Sequence, residues 1–256
     1  MSEILCSIAN GIATVTLNRP EKRNALNSIV LDGLTQTFTQ LETNPMVRVV
    51  VIRGEGKAFC SGLDLRELSS RQQGDADPES GVTKVFQQIE RSRHPTIAMV
   101  QGDALAGGCE LALHCDLRVA SEAAHFGMPL ARLGLIIPFV LGQKLVEIIG
   151  PAFTKQILFT GHPIEAKRAY EIGMIHQLVT PSELESTTMT LARTIADNAP
   201  LSLAGMKQVI LRTISLRETI QNQDLHELVN RARKSTDAKE GVQAMLEKRK
   251  PAFRGE

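Results

Sequence analysis

A chain of 256 residues, 43% hydrophobic and 22% charged, can bury a full core without staples, which excludes disorder as its main state. Its 29 basic and 28 acidic side chains leave a formal net charge of +1, which excludes a global electrostatic footprint for nucleic acid or an anionic membrane. Cys6, Cys60, Cys109 and Cys115 show no CxxC spacing and read as reduced thiols. The start, MSEILCSIANG, lacks the basic and apolar regions of a signal peptide, and no segment approaches the ~18 uninterrupted apolar residues of a membrane span. A cytoplasmic protein is the expectation, although a processed organellar chain would read the same.

Residues 4–17 alternate around Asn10-Gly11, a two-residue hairpin signal. Asn27 is placed to cap a helix with Val30, Leu31, Leu34, Phe38 and Leu41 on one face. The apolar run Val47–Ile52 reads as a buried strand. The polar stretch 69–81 reads as a mobile surface loop. A helix follows with Val82, Val85, Phe86 and Ile89 on one face, closed by His94-Pro95. Thr96–Val100 and Leu117–Ala120 read as further strands. Strands alternate with helices to about residue 180, an α/β pattern. Beyond it, helices are predicted at about 182–198, 201–215, 217–235 and 237–249, packing on the α/β part or on another subunit.

Two segments have the form strand, glycine, helix. In Lys57–Leu65, backbone N–H groups at a helix start would suit an anion or a developing oxyanion, or the segment is an ordinary turn. In Gly102–Glu110, paired glycines allow a ligand to approach the backbone. Glu110, one helical turn beyond Gly107, is either an acid/base facing that cleft or a first-turn acid complementing the helix dipole. The tail cations Lys248, Arg249, Lys250 and Arg254 are a phosphate patch or a solvated end. His114, Cys115 and Asp116 are adjacent and diverge on a helix, so no metal is expected. A Cys109–His125 dyad has no geometry behind it, and no Walker, G-x-S-x-G or G-x-G-x-x-G motif is present.

The series of motifs resembles the crotonase (enoyl-CoA hydratase/isomerase) superfamily. It runs from Leu17-Asn18-Arg19-Pro20 and Arg23-Asn24-Ala25-Leu26-Asn27 through Ala58–Leu65, Ala106-Gly107-Gly108-Cys109-Glu110 and Phe126-Gly127-Met128-Pro129. It closes with Lys250-Pro251-Ala252-Phe253. The resemblance implies a spiral of ββα turns over 1–195 and a helical oligomerisation region over 196–256, building homotrimers or dimers of trimers. It implies an acyl-CoA ligand, with coenzyme A entering only as part of the substrate and no other cofactor. The thioester oxygen would sit on the N–H groups of Leu63 and Gly107, flanked by Gly62, Asp64 and Gly108. Arg23, Ala25, Ala58 and Ser61 would lie near the CoA moiety. Phe253 would approach its adenosine end from a neighbouring subunit.

Hydratases of the family use two glutamates. Glu110 matches the first, but Leu130 stands at the second and can neither accept nor donate a proton. Ile136 to Leu141, including Phe139, replaces a small glycine-rich turn and is expected to narrow and dry the acyl pocket. Dryness would raise the pKa of Glu110. Hydratase-like chemistry leads. Double-bond isomerisation, decarboxylation and thioester hydrolysis follow, with Arg132, Glu122 or His125 as a possible helper. A silent acyl-CoA-binding subunit is the alternative of another class. RNA binding has no stacking surface behind it at 4% aromatics.

Overall fold

The computed structural model describes residues 2–70, 78–215 and 223–254. Asn10 and Gly11 both take positive φ, 51° and 78°, as a two-residue hairpin turn requires. They join β1 (Ile4–Ala9) to β2 (Ile12–Leu17) in antiparallel register, Ile4 opposite Leu17. The Asn27 side chain accepts from the Val30 N–H at 2.8 Å and starts α1 (Ser28–Thr43), a cap worth ~1 kcal/mol. The five predicted face residues of α1 are all buried.

The chain then winds. Next come β3 (Val49–Gly54), α2 (Leu65–Ser70), α3 (Pro78–Arg91), β4 (Thr96–Val100), β5 (Ala104–Leu105) and α4 (Gly107–His114). These are followed by β6 (Leu117–Ser121), β7 (His125–Gly127), α5 (Phe139–Thr160), β8 (Ile164–Glu165), α6 (Ala166–Glu171) and β9 (Gln177–Val179). One sheet has the order β1-β2-β3-β4-β6-β9, parallel from β2 onward, and a second has the order β5-β7-β8. Cys60 bridges to Ala104 and extends the second sheet. Three successive turns therefore each give a strand to the first sheet, a strand or bridge to the second, and then a helix. That is the ββα spiral expected.

Helices cover both faces of the first sheet, which is why Val49 to Ile52 is a continuous apolar run with no exposure. One face packs on α1, α3 and α4. The other meets α7 (Leu184–Ala196), where Leu184 and Ala192 pack with Val51, Ile97 and Val119. α8 (Pro200–Ser215) is tied down by the buried Lys207, whose Nζ donates to Asp116 at 2.7 Å and to the His94 carbonyl at 3.1 Å. α9 (Gln223–Lys234) and α10 (Thr236–Leu246) complete the helical region. α10 packs on its own chain. A Cβ on Gly241 would stand 2.5 Å from the Leu133 backbone.

The structure corrects two expectations. The polar stretch 69–81 is not one loop, because α2 runs to Ser70 and α3 starts at Pro78; residues 71–77 lie outside the described residues, as do 217–222 of the helix expected at 217–235. The Leu63 amide is not at a helix start either. It precedes α2 by two residues, where Leu63 forms a parallel bridge with Leu26. The strands β5, β7 and β8 are too short to show as patterns in sequence.

Candidate active site

α4 is deeply buried, with every residue from Gly108 to His114 inside. Gly108 lies hard against the second-sheet bridge, and a Cβ there would stand 2.0 Å from the Cys60 carbonyl oxygen. Ala106, just before the helix, is held at φ 48°, ψ −121°, a region that L residues enter only under strain. Its N–H donates to the Gly127 carbonyl at 2.8 Å. At the other end, Arg118 Nη1 donates to the Ala112 and Cys115 carbonyls at 3.2 and 2.7 Å, and Nε to Met174 at 2.7 Å. A cation at a helix C-terminus both satisfies orphan carbonyls and meets the negative end of the dipole. His114 Nδ1 donates to the Glu110 carbonyl at 2.9 Å, and burial pulls the His114 pKa down, so the ring stays neutral.

The segments 23–26 and 61–64 run side by side. Ser61 N–H donates to the Arg23 carbonyl at 3.1 Å, Leu26 to Gly62 at 2.8 Å, and Asp64 to Leu26 at 2.9 Å. Arg19 locks this pair, with Nη1 on the Ala25 carbonyl at 2.6 Å and Nη2 on Asp64 at 3.2 Å. The buried Asn24 side chain donates to the Ala58 carbonyl at 2.8 Å. The structure therefore brings Arg23, Ala25, Ala58, Ser61, Gly62 and Asp64 together, and the Asp64 carboxylate is turned to Arg19. Gly62 and Gly107 abut. A Cβ on Gly62 would be 3.0 Å from the Gly107 nitrogen, and one on Gly107 would be 3.7 Å from the Leu63 nitrogen. Among the described residues, neither the Leu63 nor the Gly107 N–H is used in the backbone hydrogen bonds that stitch these loops together.

Leu63 and Gly107 both border an apolar cavity of about 110 Å³ that is also lined by Ser61, Glu110 and Leu130. Glu110 is 7% exposed. Among the described lining residues it is the only ionisable side chain, and Ser61 and Thr83 supply the only hydroxyls. Sequence reasoning did not assign Thr83, Ala106, Leu133 or Met245 to the cavity. Thr83 lies beside Val82 on the inner face of α3, and Met245 arrives on α10 with no signal in the sequence.

Several expected residues stand elsewhere. Leu135, Pro138 and Leu141 line the Glu110 cavity, whereas Ile136, Ile137 and Phe139 face a second one. Phe139 is thus not beside Glu110. Gly108 supports the cavity from behind through Cys60. Phe253 is 42% exposed on a tail held to α10, where Glu240 accepts from Arg249 at 2.5 and 2.8 Å and from Ala252 N–H at 2.9 Å. Arg249 is thereby engaged within its own chain. Arg132, Glu122 and His125 are exposed and do not line the cavity. His125 Nδ1 is 3.1 Å from Asp103, which also accepts from Arg23 at 2.5 Å. Cys109 is not its partner: burial pushes the thiols of Cys60, Cys109 and Cys115 up to about 12. Asp116 accepts from Thr96 and Lys207, and Cys115 donates to the Leu111 carbonyl, so the His-Cys-Asp run diverges into three separate contacts.

Residues 7–256 match the family model for enoyl-CoA hydratase/isomerase. The short-chain-enoyl-CoA hydratase of Clostridium acetobutylicum is 34% identical over 253 residues, covering 98% of this chain and 97% of that one. The chain belongs to the enoyl-CoA hydratase/isomerase family, the crotonase superfamily. Among solved structures, carnitinyl-CoA hydratase from Mycobacterium avium superposes with a TM-score of 0.87 at 32% identity, with both chains covered in full. Methylmalonyl-CoA decarboxylase in complex with 2-nitronate-propionyl-CoA superposes at 0.90, with 30% identity over 99% of this chain and 98% of that one. A protein named as a hydratase and one named as a decarboxylase thus share this fold. Among the described residues, no helix is long and apolar enough to cross a membrane.

Proposed function

We propose that this enzyme acts on an acyl-CoA thioester through an enolate held on the Leu63 and Gly107 amides, with Glu110 as the acid/base. The observation that carries the reading is the composition of the cavity: the adjacent residues Leu63 and Gly107, whose amides are unused in the neighbouring loop hydrogen bonds, one carboxylate among the described lining residues, and apolar walls. Amides fixed in advance where negative charge develops supply the largest catalytic contribution, ~3–4 kcal/mol per donor. Hydration of an enoyl-CoA is the leading reaction, in keeping with the relatives' names. Glu110 would take a proton from water as its oxygen bonds to the carbon β to the thioester, and the electron pair would move onto the thioester oxygen. The protonated Glu110 would then return the proton to the α carbon. The CoA moiety would run along the paired segments 23–26 and 58–64, and no other cofactor enters this chemistry.

Leu130 in the cavity wall favours a second reading in which one acid is enough. An α-carboxyl group leaving as CO2 gives the same enolate, which needs a single protonation, and double-bond isomerisation shuttles one proton between two carbons. Loss of enoyl absorbance from crotonyl-CoA would support hydration. Release of CO2 from methylmalonyl-CoA would support decarboxylation instead. Tight acyl-CoA binding without turnover of either would leave double-bond isomerisation, thioester hydrolysis or a silent binder.

The assembly we propose is a homotrimer or a dimer of trimers. Met206, Val209 and Ile210 of α8 are 63, 67 and 59% exposed on adjoining positions of the helix, an apolar stripe of the kind that subunit contacts cover. Mass by light scattering tests this. The four free cysteines accord with a cytoplasmic setting.

A further inference from the structure

Helices α3 and α4 pack on each other. The Phe86 ring lies 5.6 Å from the His114 ring, and about one turn back on each helix stand Thr83 and Glu110, which line the same cavity. A helix hides its backbone polar groups in its own hydrogen bonds, so Thr83 meets the cavity with its side chain. Helical threonines commonly donate to the carbonyl four residues back, as Thr35, Thr39, Thr154 and Thr188 do at 2.9, 2.8, 2.8 and 2.8 Å. The Thr83 hydroxyl makes no such bond, and it has no hydrogen-bond partner among the described residues. It is a hydroxyl left open on the wall that Glu110 shares, in a lining that is mostly apolar.

We propose that the Thr83 hydroxyl, together with Glu110, holds the water that adds to the enoyl thioester. This rests on the hydration reading above and supplies the second polar contact that Leu130 does not. A water in an apolar cavity is held only where it finds two or more polar partners. One O–H of the water donates to the Glu110 carboxylate and the other to Thr83 Oγ1, which turns an oxygen lone pair toward carbon β. As the C–O bond forms, the first proton passes to Glu110 and the electron pair of the double bond is drawn onto the thioester oxygen. Glu110 then gives that proton to carbon α. Thr83 neither gains nor loses a proton, so its part is to orient the water. Ser61, the other hydroxyl of the lining, adjoins the Gly62–Leu63 pair proposed for the thioester oxygen and is not called on here.

Thr83→Val keeps the branched shape and removes the hydroxyl, whereas Thr83→Ser keeps the hydroxyl and removes a methyl. Two rates are read on the unsubstituted protein and on both variants. One is hydration of crotonyl-CoA. The other is exchange of the α protons of butyryl-CoA in deuterium oxide, which calls on Glu110 and the two amides but adds no water. Thr83→Val is expected to lower the hydration kcat at least about fivefold, the worth of one hydrogen bond, with KM and the exchange rate held within about twofold. Thr83→Ser should recover most of the hydration rate. Hydration unchanged in Thr83→Val, or hydration and exchange falling there by the same factor, would overturn the assignment, the latter marking Thr83 as a packing residue. Exchange without hydration in the unsubstituted protein would overturn it too, since no water is then added. Absence of both reactions in the unsubstituted protein would overturn the enolate reading itself.

Discussion

Gly62 and Gly107 meet backbone to backbone, so closely that a methyl group on Gly62 would stand 2.8 Å from the Ala106 Cβ and 3.0 Å from the Gly107 nitrogen. This contact sets the spacing of the Leu63 and Gly107 amides. A Cβ on Gly107 fits more easily, 3.3 Å from Leu26 Cδ1 and 3.5 Å from the Gly62 Cα, but the γ-methyls of a valine would occupy the place proposed for the thioester oxygen. Gly107→Val is therefore expected to lower acyl-CoA affinity and turnover by at least about tenfold, a loss of ~1.4 kcal/mol in each. Calorimetry and a rate assay on the same preparation check it. Unchanged values in both would mean that the oxygen sits elsewhere.

Leu130 lines a cavity in which Glu110 is the single carboxylate among the described residues. If hydration is limited by the missing second acid, Leu130→Glu should raise crotonyl-CoA hydration, by at least about tenfold against the 10²–10⁴ typical of acid/base groups. The cost is a carboxyl placed among apolar walls, which should lower the melting temperature. A lower hydration rate in a folded variant would show that a second carboxylate does not serve this site, and would favour the one-acid reactions.

Acid should destabilise the protein through its histidines. Burial holds His94 and His114 below the ordinary imidazole value, and burial followed by the Arg118 charge brings His176 to about 4. His176 Nδ1 also accepts from the Arg118 N–H at 3.1 Å, a bond that protonation of Nδ1 would remove. Unfolded histidines titrate near ~6.5. Between that pH and about 4 the unfolded chain binds more protons than the native one, so stability falls as the pH falls. The melting temperature should hold from pH 8 to 7 and drop below 6.5, with a shallower drop in His176→Asn. A melting temperature that rises from pH 7 to 5 would contradict this.

The parts of the molecule legible in sequence were those governed by local rules. Asn10-Gly11 announced a hairpin because few residues accept positive φ in pairs, and Asn27 announced a helix because its side chain reaches the Val30 N–H. The spacing of Gly107 and Glu110 placed an amide and a carboxylate within one turn, and the structure puts both on one cavity. What was not legible depends on long-range closure. β5, β7 and β8 are two or three residues long and take their strand geometry from neighbours far along the chain. Met245 reaches the cavity only because Gly241 lets α10 approach Leu133. The run Ile136–Leu141 was legible as apolar, but not how its residues divide between cavities, with Pro138 and Leu141 beside Glu110 and Ile136, Ile137 and Phe139 beside α9, since that division depends on where α9 lies.

The central claim is tested most directly by turnover of crotonyl-CoA, followed by loss of the conjugated thioester absorbance, in the unsubstituted protein and in Glu110→Gln. The account predicts measurable hydration that falls about 10²-fold or more in the variant, while saturated acyl-CoA binds both proteins alike. Equal rates in the two proteins would contradict it, because proton transfer would then not pass through Glu110.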